Sequence, residues 1–143
     1  MLLALLQQWH YKLGRFLQLF FGCHARPDRS FYFRGHQFPI CARCTGELVG
    51  ILAGIPIAII WGYPSFYIVV LMIMPLVLDG GVQKLTSYES TNIRRLITGT
   101  LFGIALIFLF IYFHRTCFII AAKILKLFWD DPQRIDRALD FFI

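Results

Sequence analysis

Residues 46–63 decide the fold of this chain, and they read GELVGILAGIPIAIIWGY. After Glu47 the stretch is apolar over almost the length of roughly 20 residues that a helix needs to cross a bilayer. Trp61 and Tyr63 end it, and both residue types favour the level of the lipid headgroups. Small residues recur every four positions, so that another helix can approach that face closely. They are Gly46, Gly50 and Gly54. The stretch therefore predicts a transmembrane helix.

The composition of the whole chain agrees with a membrane protein. Hydrophobic residues make up 58% of the 143 residues and charged residues 15%, whereas soluble domains carry about 25% charged residues. A soluble protein of this size has too much surface for so few charges to cover. The net charge of +6 is explained by Lys and Arg that flank apolar segments and contact anionic headgroups. We therefore predict membrane lipid as a partner and not nucleic acid.

Two further stretches predict transmembrane helices, at residues 66–84 and 96–113. In the first, Pro75 interrupts the apolar run and Asp79 follows at the membrane boundary. In the second, Gly99 and Gly103 supply another face for close packing. These stretches predict an all-α integral membrane protein with three transmembrane helices in a single domain over residues 1–143.

Amphipathic helices are predicted at both ends of this bundle. In residues 1–22 the apolar side chains recur at helical spacing, while Lys12 and Arg15 lie in the middle of the segment and disfavour a crossing. We expect this helix to lie in the membrane interface, with packing against the bundle as the alternative. Residues 117–129 predict a second amphipathic helix or a continuation of the third transmembrane helix.

The polar segment 23–45 lies between the first amphipathic helix and the first transmembrane helix. It contains the pair Cys23-His24 and the C-x-x-C motif Cys41-Ala-Arg-Cys44. The C-x-x-C spacing allows two thiolates to face one ion, and four soft or borderline ligands suit tetrahedral zinc. The sequence therefore predicts a zinc site of Cys23, His24, Cys41 and Cys44, with His36 as an alternative to His24.

Two rival interpretations of the cysteines remain open. C-x-x-C is also the redox pair of thiol–disulfide oxidoreductases, and Arg43 between the thiols would lower a thiol pKa. The cysteines also fit a purely structural role as small buried residues, as we expect for Cys117 within its apolar segment.

Polar residues at the ends of the second and third transmembrane helices form a second group. Ionisable residues at membrane depth usually pair with one another or take part in function. In the structural interpretation, Asp79 or Glu89 forms a salt bridge with Arg94 or Arg95. In the functional one, Asp79 or Glu89 activates water and Arg95 stabilises an anionic substrate such as a lipid phosphate. The sequence leaves open whether the protein is an enzyme.

The distribution of basic residues predicts an orientation. Segment 23–45 carries four arginines, and Lys84, Arg94 and Arg95 lie in the link between the second and third transmembrane helices. The positive-inside rule places both in the cytoplasm, so we predict a multi-pass protein of the cell inner membrane with a cytoplasmic cysteine cluster. Basic residues after position 113 conflict with this scheme, and the orientation of that segment stays open. The glycine faces also fit a homo-oligomer that forms a channel or transporter.

Two sequence blocks resemble a family of small, uncharacterised bacterial membrane proteins known as domain of unknown function 2085. The first block comprises Cys23-His24, Arg29-Ser30-Phe31 and Cys41-Ala42-Arg43-Cys44-Thr45-Gly46. The second runs from Pro75 through Asp79-Gly80, Gln83, Glu89-Ser90, Asn92 and Arg95 to Thr98-Gly99. The resemblance implies a membrane location and treats both blocks as one site, without an established activity. Ala25 departs from the family pattern, in which Gln follows the Cys-His pair.

Overall fold

The computed structural model describes the backbone of residues 2–128 and the side chains of residues 11–126. Within that range the elements are, in order, α1 (Leu2–Phe20), a 3₁₀ turn (Pro27–Arg29), β1 (Ser30–Phe33), β2 (His36–Cys41), α2 (Ala42–Trp61), α3 (Phe66–Leu85) and α4 (Asn92–Phe128). Three of these helices are long and apolar enough to cross a membrane, over Ala42–Trp61, Phe66–Leu85 and Asn92–Lys126. The predicted all-α membrane architecture is confirmed, with a small sheet added to it.

Helices α2 and α4 pack with their backbones in contact. A Cβ atom added to Gly46 or Gly50 would overlap the carbonyl oxygen of Leu96 or Thr100, and one added to Gly103 would overlap that of Glu47. The approach is possible because both helices present small residues at four-residue spacing, which also allows weak Cα–H···O contacts. The two glycine faces that the sequence predicts therefore pack against each other.

Helix α3 covers another side of α4. Val69 is fully buried in a cluster with Ala105 and Phe108. At the end of the bundle remote from the cysteines, the Tyr112 hydroxyl donates a hydrogen bond of 2.8 Å to the carbonyl of Pro64. Most other large apolar side chains of the three long helices point outward, as expected for helices whose solvent is lipid.

Of the two predictions for residues 117–129, the structure shows the continuation of the third transmembrane helix and not a separate amphipathic helix. Helix α4 continues without a break from Asn92 to Phe128, which is 37 residues or about 55 Å. His114 and Arg115 indicated a boundary because of their charge, but no Gly or Pro interrupts the chain between Gly103 and Phe128. Charge alone does not end a helix, since Arg has a high helix propensity. Trp129 and the tail beyond it lie outside the described residues.

Helix α1 lies against the hairpin, and most of the apolar side chains described in its second half are exposed. A Cβ added to Gly14 would lie 3.0 Å from the side chain of Pro39, and the Gln18 amide donates a 2.7 Å hydrogen bond to the Pro39 carbonyl. Leu13, Phe16 and Leu19 are all more than half exposed. This arrangement suits a helix that lies in the membrane interface and packs against the protein through Gly14.

The hairpin of β1 and β2 is the part of the polar segment that the sequence did not predict. The strands pair in antiparallel fashion, with Ser30 opposite Cys41 and Phe33 opposite His36. Arg34 and Gly35 form the connection, with φ angles of 50° and 79°. Two positive φ angles in a two-residue turn match the twist of the flanking strands. The hairpin leads the chain to the N-terminus of α2 and so places Cys41 beside the residues that follow α1.

Candidate metal centre

Three thiols meet where the hairpin joins α2. The Sγ atoms of Cys23, Cys41 and Cys44 all lie within 4.8 Å of one another, and all three side chains are half-buried. The Sγ atoms of Cys41 and Cys44 are 3.4 Å apart. Cys41 caps α2 and Cys44 lies in its first turn, so the C-x-x-C motif presents both thiols on one side of the helix start. A helix N-terminus favours negative charge there.

Cys23 reaches the other two thiols because the chain turns sharply after α1. Gly22 has a φ of 58° and Ala25 a φ of 45°, both in the left-handed region. The Sγ of Cys23 accepts hydrogen bonds from the backbone N–H groups of Cys41 at 3.1 Å and of Ala25 at 3.4 Å. Backbone donors of this kind stabilise a thiolate. The conformation of Ala25 places its N–H group beside the sulfur.

A second set of hydrogen bonds holds this turn to the hairpin. The amide nitrogen of Gln37 donates to the carbonyl of Ala25 at 2.7 Å and to the Ser30 hydroxyl at 3.2 Å. The Ser30 hydroxyl donates to the carbonyl of Arg26 at 2.8 Å. Gln37 was missed by the sequence analysis because an isolated Gln carries no ligand chemistry, and only the register of the hairpin shows what it contacts.

The surroundings of Cys41 favour its ionised form. A hydrogen bond from the Cys44 thiol, with others from backbone groups of Cys44 and Arg43, lowers the pKa of Cys41 to about 5 against the opposing effect of partial burial. Cys41 is then a thiolate at neutral pH, which is the form that binds metal and attacks disulfides. The cluster therefore suits either chemistry that the sequence left open.

The two histidines predicted as ligands lie apart from the thiols. His24 and His36 are exposed, and neither contributes a nitrogen to the group of three sulfurs. His24 is the neighbour of Cys23 in the chain, whereas His36 lies at the beginning of β2, five residues from Cys41. Cys117 is exposed on α4. Of the four predicted zinc ligands, the structure brings together the three sulfurs.

The predicted acidic residues occupy different environments. Asp79 lies on α3 with its side chain 11% exposed and forms an ion pair of 2.5 Å with Arg43. The same guanidinium donates a 3.0 Å hydrogen bond to the side-chain oxygen of Gln83.

The other two acidic residues are more accessible to solvent. Glu89 is 75% exposed and lies 3.7 Å from Arg29. Glu47 is half-buried in α2, within electrostatic range of Cys41. Asp79 and Glu89 thus form ion pairs with Arg43 and Arg29, and the predicted pairing with Arg94 or Arg95 is wrong.

Arg95 connects the hairpin side of the protein to the long helices. Its guanidinium donates a 3.1 Å hydrogen bond to the Asn92 side chain, whose amide donates at 3.4 Å to the carbonyl of Ser30. Arg43 belongs to the C-x-x-C motif and contacts α3. The two sequence blocks therefore meet at one end of the bundle.

The geometry of this end of the bundle coincides with a known family pattern. Residues 23–109 match the family described as predicted membrane protein (DUF2085). The chain belongs to this family. The matched region begins at Cys23 and includes all three clustered thiols, Asp79 and Arg95, whereas α1 and the end of α4 lie outside it.

Two relatives in the comparison are archaeal. An uncharacterized protein of Methanothermobacter thermautotrophicus is 38% identical over 88 residues, which cover 59% of this chain and 79% of the relative. An uncharacterized protein of Methanocaldococcus jannaschii is 34% identical over 95 residues, 60% of this chain and 59% of the relative. The description of the family as bacterial is not supported by these relatives. No solved structure matches the chain.

Proposed function

We propose that this protein is a membrane metal protein that binds one zinc ion through Cys23, Cys41 and Cys44. The observation that carries the proposal is the mutual approach of three Sγ atoms to within 4.8 Å, from two separate parts of the chain. Zinc suits this donor set because it accepts thiolates in tetrahedral geometry and needs no redox partner.

The surroundings of the sulfurs support a cation between them. Thiolates at this separation repel one another, and a bound cation removes that repulsion. The lowered pKa of Cys41 favours the deprotonated state that metal binding requires at this residue. The two backbone N–H donors hold the sulfur of Cys23 beside Cys41. The half-burial of the three cysteines leaves a route for the ion to enter.

Three protein ligands leave a fourth position for water or an exchangeable group, which is typical of catalytic zinc. His24 remains the alternative fourth ligand, and a closed site would make the zinc structural. In the catalytic case, Asp79 or Glu89 would activate water and Arg95 would bind an anionic substrate such as a lipid phosphate.

The location and assembly of the protein remain predictions. We expect it in the cell inner membrane, with the cysteines on the cytoplasmic side and with a homo-oligomeric assembly.

The first prediction concerns metal content. Protein purified in detergent without added chelator is expected to contain about one zinc per chain. Cys41→Ser or Cys44→Ser is expected to reduce the zinc content by at least tenfold, because loss of one thiolate from a three-thiolate site removes a principal ligand. Elemental analysis measures the zinc content per chain. Cys117→Ser is the matched control and should keep full zinc content.

Cobalt distinguishes an open site from a closed one. Replacement of zinc by Co²⁺ gives a visible spectrum that reports the number of ligands. His24→Ala should leave that spectrum unchanged if the fourth position is held by water and should alter it if His24 is a ligand. Wild-type protein that is free of metal and does not take up Zn²⁺ or Co²⁺ would overturn the metal proposal.

Thiol–disulfide exchange is the second candidate, and one geometric feature favours it. Cys41 at the helix N-terminus has a lowered pKa, and its partner Cys44 lies 3.4 Å away, which is the arrangement of redox-active C-x-x-C pairs. A Cys41–Cys44 disulfide trapped in intact cells, together with purified protein that lacks metal, would support this function. The channel or transporter hypothesis stays a prediction, which ion flux in liposomes would test.

A further inference from the structure

Arg95 is a buried charge with no counter-ion among the side chains that the structure describes. Its side chain is 4% exposed in the first turn of α4. Among the residues whose side chains are described, it forms no ion pair within 4.0 Å and donates one hydrogen bond, from Nη1 to Asn92. Its Nε atom is buried and makes no hydrogen bond. A buried guanidinium that lacks a partner is strongly unfavourable.

The helix that carries Arg95 increases this imbalance. The first turn of α4 contains Arg94 and Arg95 and no acidic residue. The N-terminus of a helix bears partial positive charge, so basic residues there are unfavourable and an anion is favourable. For a helix of 37 residues the last turn is too remote to offset this.

The charges packed around Arg95 do not neutralise it. Arg29 and Arg43 repel it, and Glu89 and Asp79 attract it. Asp79 is already paired with Arg43 at 2.5 Å, and Glu89 is 75% exposed and lies beside Arg29. Asp28 also contacts Arg29, at 3.4 Å, and Arg26, at 3.1 Å. Four guanidinium groups thus share three carboxylates, of which Asp28 and Glu89 are 48% and 75% exposed.

Further donors lie around the Arg43–Asp79 pair. The Nε of Arg43 on α2 and the Nε2 of Gln83 on α3 are buried and make no hydrogen bond. With the Nε of Arg95 on α4, N–H groups from three different helices remain without acceptors at one end of the bundle. The Ser90 hydroxyl, 4% exposed, lies beside Asp79.

We propose that this end of the bundle binds a phosphate-type oxyanion, with Arg95 as its main ligand and Arg43 and Gln83 as additional donors. A guanidinium matches two oxygens of a phosphate in a bidentate manner, and donors from three directions suit a tetrahedral anion. The ligand is either free phosphate or the phosphate of a lipid headgroup, because helices long enough to cross a bilayer place their ends near the headgroups. This inference rests on the anion-binding role that the proposed function gives to Arg95 and extends it to a site with donors from three helices. The site uses no thiol, so loss of metal binding would leave it intact.

The test uses the full chain, purified in a neutral detergent and depleted of lipid. Inorganic phosphate is titrated against chloride at matched ionic strength, and the thermal unfolding midpoint is recorded. A ligand that binds only the folded state stabilises it by RT times the logarithm of one plus its concentration over Kd, so the midpoint rises logarithmically with phosphate concentration above Kd. Nanodiscs of phosphatidylcholine alone and with phosphatidic acid form the second arm, in which native mass spectrometry counts the lipids that remain bound.

Arg95→Met keeps the volume of the side chain but removes its charge. We expect this variant to lose the response to phosphate, with at least a tenfold weaker apparent affinity, and to unfold no earlier than wild type when the anion is absent. Arg94→Met is the matched control, since Arg94 is exposed and contacts the Tyr88 hydroxyl. It should respond to phosphate as wild type does.

The outcomes distinguish free phosphate from a lipid headgroup as the bound ligand. A midpoint that rises with phosphate in wild type and in Arg94→Met, but not in Arg95→Met, supports a site for free oxyanions. Retention of phosphatidic acid without a response to phosphate supports a headgroup site, provided that Arg95→Met abolishes the retention. Wild-type protein that shows neither effect overturns the proposal, and so does an Arg95→Met variant that keeps the wild-type response.

Discussion

Gly103→Ala is expected to lower the free energy of unfolding by about 3 kcal/mol, at the upper end of the usual effect of overpacking. A Cβ on Gly103 would overlap the Glu47 carbonyl oxygen and would lie 2.9 Å from the amide nitrogen of Ile51. Both neighbours are backbone atoms of α2, which cannot rotate aside as a side chain can. The two helices must therefore separate along their whole contact. Unfolding in detergent, titrated with sodium dodecyl sulfate, measures the change.

Gly81→Ala provides the matched control for this prediction. Gly81 also lies within a long helix, but a Cβ there would meet no heavy atom within 4 Å. Alanine should therefore be tolerated, and its higher helix propensity should leave stability unchanged or slightly increased. If Gly103→Ala unfolds at the same detergent fraction as Gly81→Ala, the backbone contact between α2 and α4 does not exist as described.

The same helix contact positions the cluster of thiols. A Cβ on Gly99 would overlap the carbonyl oxygen of Arg43, the residue between Ala42 and Cys44. The close approach of α4 thus fixes the first turn of α2, which carries one thiol and the guanidinium that binds Asp79. We expect Gly99 substitutions to disturb the arrangement of the three thiols, whereas substitution of Gly54, farther along α2, should affect stability alone.

The sequence was sufficient to predict the three long helices, because lipid imposes a long apolar run and close helix packing imposes small residues at fixed spacing. The sequence also indicated that Cys23, Cys41 and Cys44 lie close together, since a C-x-x-C motif and a third cysteine in one polar segment are typical of a shared metal ion. The hairpin escaped prediction because its turn uses Arg34-Gly35, which is not among the favoured turn pairs. Its strands are also too short for a clear alternation of polar and apolar residues.

The partners of the charged residues could not be predicted from the sequence. Asp79 was expected to pair with Arg94 or Arg95, which follow it closely in the chain, but it pairs with Arg43 from the preceding helix. Whether His24 faces the sulfurs depends on the conformation of Ala25, whose positive φ carries no signature in an alanine. Arg95 was predicted to stabilise an anion, and that role stays a prediction. Its lack of a counter-ion among the described side chains is visible only in three dimensions.

Asp79→Leu is expected to destabilise the protein by about 3 kcal/mol, because it leaves the Arg43 guanidinium without its carboxylate in a largely buried place. The value is at the low end for a buried pair, since Arg43 retains 27% exposure and keeps its hydrogen bond to Gln83. The double variant Arg43→Met with Asp79→Leu removes both charges, and we expect it to recover at least half of the loss. Titration with sodium dodecyl sulfate again measures both.

An exposed ion pair of the same chain serves as the reference for this cycle. Arg26 and Asp28 lie 3.1 Å apart, but their side chains are 58% and 48% exposed. Asp28→Asn should therefore change stability by less than about 0.5 kcal/mol. Asp28 also contacts Arg29 at 3.4 Å, and all three side chains are at least 30% exposed, so this group reports what an ion pair contributes where water screens it. Equal effects of Asp79→Leu and Asp28→Asn would show that the Arg43–Asp79 pair is solvated, and a double variant as unstable as Asp79→Leu alone would show that the unpaired charge is not the source of the loss.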